Sequence, residues 1–544
     1  MQTTQRQNHE TIPAVDPANG ERLGELRSMD RAEVGAAVSR ARAAQVAWGT
    51  TSFRERRRVL RTLAELIVER HESICEIAVR DSGKTMVDAA LGEVFPVLEK
   101  IRYVLRHGER DLRTEKRSSG ILAHKSARVE YLPLGVVGVI CPWNFPFHNL
   151  LCPLVPALFA GNGVVSKVSE HTSWSAEPYL ALVRDALVRH GHDPDLVQVV
   201  TGYGATGNYL VTSGVEKIFF TGSPQNGRKV MEAASAAPTE VVLELGGKDP
   251  MIVCDDADLE HAAEQAMLGV FTACGQMCVG VERIYVHDGV YDAFVAKVTA
   301  GARKLRQGVP PHPGRTGKAR TTETVDCGAM TMPRQLDILD ELVADAVTKG
   351  ARVLVGGGRA SDAGPQFFAP TILVDVTHEM RIAREEQFGP IMVIFRVTSD
   401  EHAIECANDT EYGLGSSVFT RDAARGDRIA RQLRTGMTVI NDYGIAYMIQ
   451  ALPFGGEGIS GVGRINGREG LRGCCHVKAV VADRWPLSRL PGRGGVSVYP
   501  IQETTYALVQ SVSGLIYAPG VRAKAGHALK AARTFARELR SRRG

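Results

Sequence analysis

Residues 271–283 read FTACGQMCVGVER and hold Cys278 in a glycine-flanked, nearly uncharged setting. A thiol is the strongest side-chain nucleophile once partly ionised, but it needs a partner to manage protons and a donor to hold the charge that builds on an attacked carbonyl oxygen. Two other segments carry such groups. LELGGKDP, residues 243–250, places Glu244 at the end of the apolar run VVLEL, and PWNFP, residues 142–146, holds the uncharged amide of Asn144. Each has a plainer alternative: a buried structural thiol, a strand-end carboxylate in a surface ion pair, and a turn residue whose backbone is fixed by Pro142 and Pro146. The last is compatible with function, since a rigid turn preorganises the amide.

Outward from these segments, the first half of the chain alternates helical patterns with short apolar runs bounded by glycine. These runs are VVGVI after Gly135, VVSKV after Gly163, VQVV before Thr201, EKIFF before Thr221 and VVLEL before Gly246. Such alternation predicts a parallel sheet with crossover helices, an α/β fold whose ligands bind beyond the carboxyl edge of the strands. Gly222–Gly227 (GSPQNG) follows a strand and opens a helix, where backbone amides and the helix dipole suit a pyrophosphate; the glycine spacing alone is equally that of a plain turn. A second alternating half supplies DPMIVC, RIYVH, ARVLVGG, TILVDV, IMVIFRV, GSSVFT and MTVIN as strands. Residues 311–322, PHPGRTGKARTT, are polar, basic and turn-rich and read as a surface loop rather than a phosphate grip.

The 544 residues exceed a single ordinary core, so two or more domains are expected, and 23% charged with 44% hydrophobic residues fits a soluble globular protein. The start, MQTTQRQNHE, has neither the basic nor the apolar stretch of a signal peptide, and no run of 18 apolar residues occurs; a cytoplasmic location is the expectation. Ten scattered cysteines read as reduced thiols. Cys274 and Cys278 have no histidine or second cysteine pair nearby to complete a metal site, so no metal is expected.

The landmarks fall in a fixed order: PWNFP, then GNGVVSKVSE (161–170), FTGS (220–223), LELGGK, GQMC (275–278), EEQFGP (385–390) and PFGGEGISGVG (453–463). Over roughly residues 15–485 the chain resembles the aldehyde dehydrogenase superfamily. PWNFPFHN, KVSEH, GGKDP, VKAVVADRW and the vicinal pair Cys474 and Cys475 are most similar to the long plant and fungal members, called family 22 in plants. The resemblance implies a Rossmann-like NAD-binding domain from 1–115 and 134–245 and an α/β catalytic domain from 246–445. It also implies a small β oligomerisation arm with bridging segments, 116–133 and 446–485, in a homodimer or homotetramer, with 486–544 left as a basic extension.

The resemblance further implies a mechanism. Cys278 attacks the aldehyde to form a thiohemiacetal whose oxyanion is held by the Asn144 amide and the Cys278 N–H; hydride leaves for the nicotinamide, and Glu244 activates the water that hydrolyses the thioester. Trp143 and Ser223 are the implied pyrophosphate contacts and Lys167 and Glu170 address the adenosine ribose, while Glu386 and Phe388 meet the nicotinamide end; Gly202 and Gly222 complete the cofactor set. A carboxylate accepts bonds from free ribose hydroxyls and repels a 2′-phosphate, so Glu170 favours NAD over NADP; two solvated charges near a helix start are the bland reading. Val168, where many relatives have proline, and Val279 with Gly280 depart from the common pattern. His148, Asn149, Cys274 and Tyr447 are expected at the substrate mouth, with no arginine anchor for a carboxylated aldehyde.

Two rivals differ in testable features. A coenzyme A-acylating enzyme of this superfamily would generally lack a glutamate at the position of Glu244. A non-catalytic, membrane-associated scaffold would be expected to lose Cys278, Glu244 or Asn144, and all three are present. From Pro486 onward ten Lys and Arg face two acids, a net of +8 against −4 for the preceding body. Val521, Ala525, Ala528, Leu529, Ala532, Phe535, Ala536 and Leu539 share one helical face with the basic residues largely outside it. This basic amphipathic helix suits packing on a subunit or on the chain's own body, or peripheral docking on an anionic membrane. It lacks the motifs of nucleic-acid binding.

Overall fold

The computed structural model describes residues 10–313 and 324–485, together with 499, 501 and 503–541, with side chains to 537 in the last stretch. Most of the expected loop at 311–322 lies outside the described residues. The chain divides into two compact units, one built up to Arg113 and from Tyr131 to Val477, the other from Thr114–Glu130 and from Lys478 onward.

The larger unit holds two extended sheets. The first has six strands in the order Gly461–Val462, Glu240–Leu245, Lys217–Gly222, Val136–Ile140, Gly163–Lys167, Val197–Val200. All pair in parallel except Gly461–Val462, which runs against Glu240–Leu245. Val136–Ile140 and Gly163–Lys167 are buried at every position, as β-branched runs between helical layers must be. Helix Pro146–Ala160, buried along nearly its whole length, makes one crossover. Helix Arg31–Gly49, opened by a capping box between Asp30 and Glu33, lies by the strands Val136–Ile140 and Gly163–Lys167.

The second sheet has seven strands, in the order Arg352–Val355, Thr371–Val374, Ile391–Val397, Val281–His287, Asp249–Val253, Ser417–Phe419, Val439–Ile440. Only the Arg352–Val355 edge is antiparallel. The two sheets are joined where Glu240–Leu245 ends and, across Gly246–Lys248, the chain enters Asp249–Val253.

Residues 446–474 depart from the division expected from the sequence. They fold with the larger unit, where Gly461–Val462 completes the first sheet and helix Gly467–Arg472 packs on helix Phe95–Leu112. Only the end of that segment joins the arm: Cys475–Asp483, Lys125–Pro133 and Glu115–Arg117 form a three-stranded sheet. The smaller unit also contains helices Thr505–Tyr517 and Val521–Ser541, packed on each other through the close approach of Gly514 to the His527 ring. Among the described residues no helix is long and apolar enough to cross a membrane.

Candidate active site

Strand register brings the three chemical groups together. Asp249 and Val281 are partners on adjacent parallel strands, so Glu244, just before the first, and Cys278, just before the second, emerge at the same edge. Ile140, Phe220 and Leu243 are in register across the other sheet, so the turn holding Asn144 and the loop holding Ser223 open towards that edge as well.

The cysteine loop is held in an unusual conformation. Ala273, Cys274 and Gly275 all have positive φ, at 49°, 57° and 72°, which costs about 1–3 kcal/mol for each residue that carries a β carbon. A β carbon on Gly275 would also lie 2.2 Å from the Gly389 carbonyl oxygen. Buried Gln276 anchors the turn, donating from Nε2 to the carbonyls of Ala273 (3.0 Å) and Ala329 (3.2 Å) and accepting the Thr331 N–H at 2.9 Å.

Cys278 emerges from this loop partly accessible, with its thiol in contact with the Glu244 carboxyl. Burial pushes Glu244 up to about 7, an effect the thiol contact only partly offsets. Burial, and after it the charge of Glu244, pushes the thiol well above its ordinary range. Among the described residues Glu244 Oε1 has no hydrogen-bond partner, an open acceptor beside a thiol. The Asn144 amide is oriented from both sides: Asn149 donates to its Oδ1 at 3.0 Å, and its Nδ2 donates to the Gln276 carbonyl at 3.0 Å. One amide hydrogen serves the loop, and among the described residues no hydrogen bond takes the second.

A cleft of about 1120 Å³ reaches from Cys278, Glu244 and Asn144 to the end of strand Gly163–Lys167. Trp143, Lys167, Glu170, Gly222, Ser223, Glu386 and Phe388 all line it. Gly202 does not; its α carbon packs against Thr206 and Ser28, so its part is in the backbone fold and not in the cleft wall. Buried Lys167 pairs with Glu170 at 3.4 Å. Burial pushes Glu170 up, but the Lys167 charge and nearby hydrogen bonds outweigh it and hold the carboxyl below its ordinary range. Ser223 caps helix Pro224–Ser235, whose amino end meets the cleft with Gln225 and Asn226. Trp143 and Phe388 meet edge to face, 5.5 Å apart. These features fit a dinucleotide: a carboxylate for ribose hydroxyls at one end, helix amides for a pyrophosphate, and an aromatic wall near the thiol.

Glu386 reaches the Gly247 N–H at 3.0 Å, and a β carbon on Gly246 would lie 2.1 Å from its Oε2; this contact explains a glycine at the end of LELGG. Beneath it lies a buried ion pair, Lys248 with Glu282 at 3.0 Å, whose carboxylate also accepts the N–H groups of Gln387 (3.2 Å) and Phe388 (3.1 Å). The sequence reading passed over this support, and over Lys229, which also lines the cleft. Lys248 lies within LELGGKDP and Glu282 within FTACGQMCVGVER, but nothing in one sequence shows that the two charges meet.

On the other side of the thiol the wall is apolar. Cys278 packs with Met277, Val279, Leu414, Met437, Tyr447 and Phe454. The Tyr447 hydroxyl hydrogen-bonds His148 Nε2 and its ring meets Phe454 at 4.7 Å. Burial, reinforced by the charge of Lys100, pushes His148 down to about 3 and keeps it neutral. Cys274, expected at the mouth, is instead buried with its thiol on the Gly328 carbonyl at 3.5 Å, because the left-handed turn directs it inward. No group of three or more potential ligands capable of holding a metal ion occurs among the described residues.

The model of the aldehyde dehydrogenase family matches residues 3–480. The chain belongs to that family. An aldehyde dehydrogenase-like protein of Schizosaccharomyces pombe is 42% identical over 514 residues, 93% of this chain and 96% of that protein. The 4,4'-diapolycopene aldehyde oxidase of a Methylomonas species is 37% identical, over 88% of this chain and 87% of its own. Among solved structures, an NADP-dependent enzyme of E. coli superposes with a TM-score of 0.81 at 35% identity, covering 87% of this chain and 95% of that one. The reaction of this aldehyde dehydrogenase is oxidation of an aldehyde to the carboxylic acid, with a nicotinamide cofactor.

Proposed function

We propose that this aldehyde dehydrogenase prefers NAD, uses Cys278 as nucleophile, Glu244 as base and Asn144 as oxyanion donor, and acts on uncharged, largely apolar aldehydes. The observation that carries the reading is the thiol of Cys278 against a buried carboxyl with an open oxygen, at the inner end of the cleft. Cys278 adds as thiolate to the carbonyl carbon, its proton passing to solvent, so that Glu244 stays ionised for the later step. The oxygen of the resulting thiohemiacetal accepts hydrogen bonds from the second Asn144 amide N–H and the Cys278 N–H. The chemistry a nicotinamide cofactor supplies in the cleft is acceptance of hydride from the thiohemiacetal, leaving a thioester on Cys278. Glu244 then deprotonates water for hydrolysis of that thioester, the step that distinguishes this chain from an acyl transferase to coenzyme A.

Glu170 supports NAD through repulsion of a 2′-phosphate; nearby Lys167 is already engaged with it. The apolar set around the thiol supports an uncharged substrate, because a carboxylated aldehyde buried among those side chains would lose its hydration with no cation in that set to offset it. Rates of nicotinamide reduction across aldehydes of graded length and charge, with NAD and NADP in parallel, test both assignments. Preference for succinate semialdehyde, or for NADP, overturns the corresponding half. An oligomer in the cytoplasm is the expected form of the enzyme.

A second reading concerns the C-terminal helices. Between Glu503 and Glu538 there is no acid but five Lys and Arg, and Tyr506, Tyr517, Val521, Leu529 and Phe535 remain more than half exposed in the helical pair. Exposed apolar groups beside unopposed cations suit the surface of an anionic bilayer, and peripheral membrane attachment is the role we assign to this pair.

A further inference from the structure

We propose that Lys84 and Glu93 are positioning residues that fix the Asn144 amide at the oxyanion position, an inference that rests on the roles given above to Asn144 and Cys278. Both side chains are buried, 2% and 0% exposed, and paired with each other. Lys84 Nζ also donates to the Asn144 carbonyl at 2.6 Å and sits 4.1 Å above the Phe145 ring. The other oxygen of Glu93 accepts the His148 N–H at 2.9 Å. The pair therefore grips the turn at its start, through the Asn144 carbonyl, and at its end, through the first turn of helix Pro146–Ala160. A buried ion pair brings little net stability over apolar groups of the same size, so its placement under this one turn calls for a different role.

The same segment also reaches Asn144 from the cysteine side. The Ser82 carbonyl accepts the Thr331 hydroxyl at 2.7 Å and the Gly83 carbonyl accepts the Ala329 N–H at 2.9 Å. Thr331 and Ala329 hold the Gln276 side chain, and the Gln276 carbonyl accepts the Asn144 amide. The backbone and the side chain of Asn144 are thus both referenced to residues 82–84 in a closed circuit of hydrogen bonds. Misplacement of a donor by an ångström costs about 10²-fold in rate.

Hydrolysis of 4-nitrophenyl acetate isolates this step, because it needs the thiol and the oxyanion donor but no hydride acceptor. The combined change Lys84→Met with Glu93→Gln removes both members of the pair together, so neither is left as a buried charge facing the other's loss. It should slow nitrophenolate release by about 10²-fold, as Asn144→Ala should by about 10²- to 10³-fold. Alkylation of Cys278 by iodoacetamide, which forms no oxyanion, should stay within about twofold. Added to Asn144→Ala, the pair change should slow the reaction by less than about threefold, since its action is through the missing amide. A wild-type ester rate in the pair variant, an equal loss in the Asn144→Ala background, or a parallel loss of alkylation overturns the proposal. If Asn144→Ala alone acylates normally, it is the oxyanion assignment itself that falls.

Discussion

The Cys278 thiol meets the Glu244 carboxyl in a setting where burial disfavours charge on both. Burial raises the carboxyl to about 7, and only its ionised form can accept a proton. Turnover should therefore rise with pH through about 7 and level off above it. Glu244→Gln should abolish that limb and give one rapid equivalent of NADH followed by turnover slower by about 10²-fold or more. An unchanged steady-state rate, or an unchanged pH profile, would remove Glu244 from the role of base.

Cys278→Ala removes the nucleophile while the loop remains tied by Gln276 to Ala273, Ala329 and Thr331. Oxidation should fall by at least about 10⁴-fold, with cofactor affinity and the thermal midpoint nearly unchanged. Turnover near the wild-type rate would show that another group forms the covalent intermediate.

Much of this site was legible because the chemistry sits on strand ends and glycine turns, which mark themselves in sequence. VVGVI, VVSKV, VQVV, EKIFF and VVLEL all lie in one sheet, and the seven later runs in the other. Cys278, Glu244 and Asn144 were found because their neighbours form short, ordered motifs. Lys84, Glu93 and Glu282 were not, because each looks like an ordinary surface charge and nothing in the sequence marks its partner, nine residues away for Lys84 and Glu93. Gly202 and Cys274 misled for the opposite reason: each belongs to a recognisable segment, but packing against Thr206 and a left-handed turn direct them away from the cleft. The short return of Gly461–Val462 to the first sheet was hidden because two residues carry no strand periodicity.

Gly275→Ala tests whether the turn sets the nucleophile. With φ at 72° and the Gly389 oxygen 2.2 Å from the new methyl position, the variant should lose at least about 2 kcal/mol of stability. Its kcat should fall more than its KM rises, since the displaced element is the loop carrying Cys278. Wild-type kcat at an unchanged thermal midpoint would mean that the loop has slack this geometry does not allow.

The preference proposed for NAD rests on Glu170. NAD should give the higher kcat/KM, and Glu170→Gln should narrow the gap to NADP by roughly tenfold, the effect of about 1.4 kcal/mol. Because Lys167 would then lose its partner, the gain should come mainly through a lower KM for NADP. A wild-type preference for NADP would mean that Lys167 or another cation outweighs the carboxylate.

The C-terminal helices give a prediction separable from chemistry, because every residue assigned to the cleft precedes them. A chain stopped after Trp485 should oxidise aldehydes at the full-length rate. The full chain should sediment with anionic vesicles and be released as ionic strength rises, since cations beside exposed apolar residues bind through both terms and only the first is screened by salt. Replacing Arg522, Lys524, Lys530 and Arg533 with Gln should release the enzyme at lower salt while leaving kcat unchanged. If the full chain ignores vesicles and truncation instead dissociates the oligomer, the helices are a clasp between subunits. Loss of activity on truncation without a change in either would place them over the substrate mouth and overturn the membrane reading.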